Sequence, residues 1–83
     1  MSVERQIERI IKGLNKLEED ITIPRNVKIK LKNAVATLKE KTELSIRVNR
    51  VLNDLDEIAD DANMQPYART QIWNIVSLLE KII

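Results

Sequence analysis

With 83 residues and a formal net charge of +1, the chain has room for one domain and one core; at this size only about 60 to 65% of the unfolded chain's surface is buried on folding. Apolar residues make up 43% and charged residues 33%, with one Gly, two Pro and no Phe, a balance that suits a helical bundle with a charged surface and argues against turn-rich β folds. Cys and His are both absent, which excludes disulfides, thiolate and imidazole metal sites, and the side chain most used for proton transfer near neutral pH.

Apolar residues at Val3, Ile7, Ile10, Ile11, Leu14, Leu17 and Ile21 recur at the three-and-four spacing of one helix face, which predicts a first helix from about Ser2 to Glu19. A second stripe, Val27, Leu31, Ala34, Val35 and Leu38, follows Pro24. A third comprises Leu44, Val48, Val51, Leu52, Leu55 and Ile58, and a fourth Ala68, Ile72, Ile75, Val76, Leu79 and Ile82 or Ile83. Neither Gly nor Pro separates helices two and three. At about 100° per residue, however, the third stripe falls more than roughly 90° from a straight continuation of the second, so a break near Lys39 to Thr42 is needed for both to face one core. Thr42 is the expected N-cap there, with Thr22 and Asn63 in that role for helices two and four.

A shift of 41 residues lays the second half of the chain over the first. Val3 falls on Leu44, Ile7 on Val48, Ile10 on Val51, Ile11 on Leu52, Leu14 on Leu55 and Leu17 on Ile58. Beyond the loop, Val27 falls on Ala68, Leu31 on Ile72, Ala34 on Ile75, Val35 on Val76 and Leu38 on Leu79. Asp20 meets Asp61 and Thr22 meets Asn63, while Pro24 and Pro66 are offset by one, each placed in a first turn where a missing N–H costs nothing. The pattern predicts an all-α, antiparallel up-down-up-down four-helix bundle in one domain. Two similar αα-hairpins, about 2–38 and 43–83, are related in it by a pseudo-two-fold axis.

Several surface groups are candidate sites. Arg25, Lys28, Lys32 and Lys39 stack along one flank of helix two, and residues 24–41 hold six basic side chains against the single acid Glu40. Such a row can neutralise phosphates, or pair with acids of a neighbouring helix; no aromatic residue lies beside it to stack on bases. Asp54, Asp56, Glu57, Asp60 and Asp61 gather at the end of helix three without the glycine and closing glutamate of an EF-hand loop, so no metal site is assigned. Ile29 and Ile46 point away from their own stripes, Tyr67 and Leu78 lie off the fourth, and Trp73 sits at its edge. Large apolar groups on the outer face of a bundle are where a partner helix docks, and Trp and Tyr are enriched at such contacts. Gly13 lies inside helix one, either as a point of close approach or as a tolerated surface glycine.

No catalytic constellation and no cofactor motif is present, because Ser2, Ser45 and Ser77 have no histidine to activate them and no glycine-rich elbow. Apolar runs are too short to cross a bilayer, and the start Met1-Ser2-Val3-Glu4-Arg5 lacks the apolar core of a secretory signal, so a cytoplasmic location is expected. High charge, abundant Ile and scarce Gly lean towards a heat-adapted source.

The run Asn63-Met64-Gln65-Pro66-Tyr67-Ala68-Arg69-Thr70-Gln71-Ile72-Trp73-Asn74-Ile75-Val76-Ser77 resembles the C-terminal signature of a small archaeal family of uncharacterised proteins, number one-four-seven of the UPF series. Pro24-Arg25-Asn26, Arg47-Val48 and Leu55-Asp56-Glu57-Ile58 extend the likeness over almost the whole chain, with Gln65 a departure in loop length. The resemblance implies a four-helix bundle from an archaeal cytoplasm and no assigned activity. That bundle looks like the geometry of eukaryotic targeting modules that bind amphipathic helices in inter-helix grooves, a likeness of fold that does not fix function. The expectation is a non-enzymatic module that binds a partner helix or itself, with Tyr67, Trp73, Ile29, Ile46 and Leu78 as its contact residues. Nucleic-acid binding through Arg25, Lys28, Lys32 and Lys39 is the alternative.

Overall fold

The computed structural model describes residues 2–82 and folds them into four helices: α1 (Val3–Glu18), α2 (Arg25–Lys39), α3 (Leu44–Ala59) and α4 (Pro66–Glu80). Helix α1 starts where the sequence places it, because the Ser2 hydroxyl accepts the Arg5 N–H at 3.2 Å and satisfies one of the free donors of the first turn. Each helix packs on its neighbours in chain order and α4 closes on α1, while the diagonal pairs keep their Cα atoms more than 8 Å apart among the described residues. Neighbours run antiparallel. Tyr67 at the start of α4 meets the chain just past the end of α1, and Asn26 at the start of α2 meets Asp61 just past the end of α3.

All four stripes converge in a single cluster in which Leu14, Leu38, Leu55 and Leu79 are fully buried. A leucine in that position contributes by transfer from water and by close packing, so its loss costs about 2 to 5 kcal/mol. Two members of the cluster lie outside the helices: Ile23 and Met64, one from each hairpin loop, insert into the end of the core.

The hairpin loops correspond atom for atom under the 41-residue shift. Asp20 and Asp61 donate their backbone N–H to Leu17 and Ile58, and Ile23 and Met64 donate theirs back to Asp20 and Asp61. The Asp20 and Asp61 carboxylates accept the N–H of Thr22 at 2.9 Å and of Asn63 at 2.8 Å. These Asx turns correct the expected caps. Thr22 and Asn63 are donors inside the turn, and the N-cap positions fall to Pro24 and Gln65, so Pro24 precedes the first turn while Pro66 occupies it. Thr42 is likewise displaced, by Glu43, which makes no side-chain cap. Two stripe positions are also corrected. Ile21 is 92% exposed because α1 ends at Glu18 and the helical period no longer governs it, and Val3 in the opening turn is exposed too. Ile82 is half-buried against the core, and Ile83 lies outside the described residues.

Gly13 faces α4. A Cβ built there meets the Ile75 side chain at 3.4 Å, an ordinary contact distance, so alanine fits. Gly13→Ala is expected to raise stability by about 1 kcal/mol, through helix propensity and a less flexible unfolded chain. Leu55→Ala is expected to lower it by about 2 to 5 kcal/mol. Urea unfolding of both variants, followed by helicity, checks the two signs together.

Candidate functional site

The hairpin loops lie side by side at one end of the bundle, and each is tied to the first turn of the other hairpin's second helix. The Tyr67 hydroxyl donates to the Asp20 carboxylate and lies 2.7 Å from the Thr22 hydroxyl, which itself donates to Asp20 at 2.7 Å. Reciprocally, the Asn26 side-chain amide donates to the Asp61 carboxylate at 3.0 Å. Asn26 and Tyr67 are counterparts under the 41-residue shift, so the two ties form one crossed latch around the pseudo-two-fold axis. Accepting these bonds favours the ionised carboxylates. Tyr67, then Thr22, hold Asp20 below the usual aspartate range, and the Asn63 N–H, then Asn26, do the same for Asp61.

Acids at the C-terminus of α3 oppose the helix dipole, and cations from both neighbours compensate. Arg69 of α4 donates to the Ala59 carbonyl at 2.9 Å and the Asp61 carbonyl at 3.0 Å, and Lys30 of α2 pairs with Glu57 at 3.5 Å. No group of acidic side chains among the described residues is arranged to hold a metal ion. Asp54 stands in the groove between α2 and α3 beside Lys30, Asn33, Thr37 and Arg50. Burial, and secondarily the charge of Glu57, push its carboxyl above the usual range.

The basic row does face α1, and it is partly engaged there. Lys32 pairs with Glu18 at 3.5 Å, and Lys28 lies close enough to Asp20 to favour its charge. Arg25, Lys28 and Lys32 border one depression with Glu18 and Ile29, while Lys39 borders another at the far end of α2.

The five apolar contact candidates are 41 to 55% exposed, and the fold spreads them over different faces. Ile29 borders the α1–α2 depression. Leu78 borders the α1–α4 depression with Gln6, Arg9 and Lys81. Trp73 stands about 120° from the core-facing direction of α4 on its α3 flank, Leu78 about 100° on the opposite flank, and Ile46 directly outward on α3. Tyr67 is half-exposed, yet its hydroxyl is committed to the latch.

A feature that periodicity alone assigns to the core lies at the opposite end. Val3, Ile7 and Ile11, spaced i, i+4 and i+8 along α1, form the floor of a groove with Leu38 and Leu44, rimmed by Glu4, Lys39, Glu40, Lys41 and Arg47. Ile7, Ile11 and Leu44 touch the core on one side only, and Val3 is exposed. The signal was present in the sequence as an apolar stripe that starts before α2 can cover it, since α2 ends at Lys39 and the chain turns away at Glu40.

The model of the uncharacterised protein family UPF0147 matches residues 1–82. A UPF0147 protein of Methanocaldococcus jannaschii is 42% identical over 84 residues, covering 95% of this chain and 90% of the relative. One from Thermoplasma acidophilum is 39% identical over 70 residues, covering 83% and 80%. Among solved structures, a protein of unknown function, MMP1188, superposes with a TM-score of 0.92 at 40% identity, covering 99% of this chain and 94% of that one. A UPF0147 structure from Thermoplasma acidophilum gives 0.90 at 33% identity, with 96% and 95% coverage.

The latch carries a pH signature. Because the Asp20 and Asp61 pKa values are depressed in the fold, their stabilisation is present above the ordinary aspartate value of 3.8 and is lost as pH falls through the lower folded values. Asp20→Asn and Tyr67→Phe are each expected to lower Tm at neutral pH, with a non-zero coupling in the double variant, and Asp20→Asn to flatten the acid limb of the stability curve. Asp54 has the opposite sign. Its raised pKa makes ionisation unfavourable in the fold, so Asp54→Asn is expected to raise Tm at neutral pH and lose that advantage in acid.

Proposed function

This chain belongs to the uncharacterised protein family UPF0147, and we propose that it is a non-enzymatic interaction module that docks an apolar helix face of a partner protein in the groove floored by Val3, Ile7 and Ile11. The observation that supports this reading is the continuity of that strip. Three side chains at successive helical turns, with Leu44 beside them, offer a partner helix the i, i+4, i+7 contacts by which amphipathic helices are held. The mixed rim of Lys39, Lys41, Glu4 and Glu40 supplies polar partners around an apolar centre, the usual arrangement of a protein interface. In the α2–α3 and α1–α2 depressions, by contrast, a bordering lysine is engaged with an acid, Lys30 with Glu57 and Lys32 with Glu18. Trp73, half-exposed on the α3 flank of α4, lies on a different face and marks the competing surface. In this reading the module works in the cytoplasm, and its high charge and abundant Ile suit a heat-tolerant archaeon.

The test is affinity capture from the source organism with the native chain, Ile7→Ser and Trp73→Ala, each first shown to keep its helicity. Loss of the captured partner on Ile7→Ser but not on Trp73→Ala is the expected result, with a weakening of about tenfold or more if Ile7 behaves as a buried contact. Loss on Trp73→Ala alone moves the interface to the α3 flank of α4. A native chain that retains no partner removes the reading.

A further inference from the structure

The cleft between α2 and α3, of about 440 Å³, has a counterpart inside the same molecule. Because the 41-residue shift carries α2 onto α4 and α3 onto α1, it carries this cleft onto the groove between α4 and α1, and the two can be compared position by position. Asn33 and Arg50 keep their chemistry there, as Asn74 and Arg9. Thr37, Glu40 and Asp54 do not, since Leu78, Lys81 and Gly13 stand in their places. The shared frame therefore closes without a hydroxyl and two carboxylates at these positions. Each of the three differences adds a hydrogen-bond acceptor to the α2–α3 side.

Two of those acceptors are not used by the fold. Thr37 is only 6% exposed, yet its hydroxyl makes no hydrogen bond among the described residues. Thr70, by contrast, follows the usual course of a helical threonine and donates to the Pro66 carbonyl at 3.2 Å. What surface Thr37 retains opens on the cleft that it borders. Asp54 is half-buried on the facing wall and has no ion pair or hydrogen bond among the described residues. Cations stand nearby, but Lys30 is engaged with Glu57 at 3.5 Å and Arg50 with Glu40 at 3.2 Å. With those pairs closed, the charge left uncompensated in the cleft is one carboxylate. Burial, and then the charge of Glu57, hold its carboxyl above the usual range, the condition of an anion without a counter-ion. Enclosed polar groups left unpaired cost stability, and proteins carry them where a ligand completes them.

We propose that the α2–α3 cleft binds a small primary amine, whose ammonium group donates to Asp54, Thr37 and Asn33. A primary ammonium has three N–H donors and no acceptor, and the cleft offers it a carboxylate, a hydroxyl and an amide oxygen. Asn33 and Thr37, four residues apart, lie on one face of α2 across from Asp54 of α3. The volume is that of a small-molecule site, and the short side chain of Ala36 leaves room beside the acceptors for an alkyl chain. An anionic ligand would meet the unpaired carboxylate with both cations already engaged. This inference does not rest on the docking groove, with which the cleft shares only Glu40.

Butylamine is the probe, titrated into the native chain and followed by backbone amide shifts. Saturable shifts gathered at the cleft residues are expected, with a response at least several-fold weaker to 1-butanol, which lacks the charge, and to tetramethylammonium, which lacks the N–H donors. Asp54→Asn should weaken binding about tenfold or more, the usual effect of losing a charged hydrogen bond, and Thr37→Val several-fold. Unfolding does not confound either variant, because Asp54→Asn is expected to raise Tm and Thr37→Val removes a hydroxyl that bonds to nothing in the fold; thermal melts of both check this. Shifts that never saturate, that spread over the surface, that persist unchanged in Asp54→Asn or that are matched by tetramethylammonium overturn the proposal. So does binding of inorganic phosphate at the cleft in place of the amine, or of Nα-acetyl-lysine amide where butylamine fails, which would assign the cleft to a protein side chain. Capture with Ile7→Ser leaves the cleft untouched, so the two readings fail separately.

Discussion

Neither hairpin has enough partners of its own to hide its apolar face, and the structure follows from that one constraint. Ile10, Leu14 and Leu17 of α1 need more than α2 to leave water, just as Val51, Leu55 and Ile58 of α3 need more than α4. The answer is a four-cornered arrangement in which α4 closes on α1 and the diagonals stay apart. Once the two faces are joined, the loops at one end are forced into proximity. There the chain places its most specific polar contacts, the crossed bonds of Asn26 and Tyr67 to the opposite aspartates. Burial supplies the driving force, which is non-directional, and the latch fixes the register, because each bond forms only when the hairpins are aligned along their length.

The helices, their antiparallel order and the repeat were legible in the residues because they depend on periodicity. An apolar residue at every third or fourth position states which face is buried without naming what covers it. The phase difference between the α2 and α3 stripes located the break, and the break lies at Glu40–Glu43. The two hairpin loops were less legible. Asp20 and Asp61 matched in the alignment, but an aspartate followed by a hydroxyl or amide residue reads equally as a turn or as a helix start. The choice was made by Ile23 and Met64, whose burial pulls the chain inward and delays the helix until Pro24 and Gln65. No periodic stripe contains Ile23 or Met64, so their membership of the core could not be read from spacing.

The surface was the least legible part, for a related reason. A helical wheel gives the angle of a side chain from its own core but not its distance from groups on other helices. By period Ile29, Ile46 and Leu78 lie off their stripes and Trp73 sits at the edge of its own; all four are exposed, and they point in different directions. The basic row lay on one flank as expected, and its Lys32 found Glu18 on the helix that flank faces. Conversely, Val3, Ile7 and Ile11 belong by period to the core, and among the described residues α2 ends at Lys39 without covering them fully. Groove formation depends on where a neighbour ends, which is a property of two elements together.

The departures from the internal repeat are therefore the most informative positions on the molecule. Where the two hairpins agree, as at Leu14 and Leu55 or Asp20 and Asp61, the residues serve the scaffold that both halves share. Where they differ, the scaffold does not dictate the choice. Lys32 and Glu18 pair across α1 and α2, while their counterparts are Trp73 and Ala59, so an ion pair in one hairpin is replaced by an exposed aromatic ring and a buried methyl in the other. Ile7 is partly open where its counterpart Val48 is fully buried. An exposed Trp and a partly open apolar strip cost solubility, and the scaffold common to the two hairpins does not require them. The bundle is thus one symmetric frame with two asymmetric apolar surfaces, one on the α3 flank of α4 and one along the start of α1, and the proposed docking groove is the second.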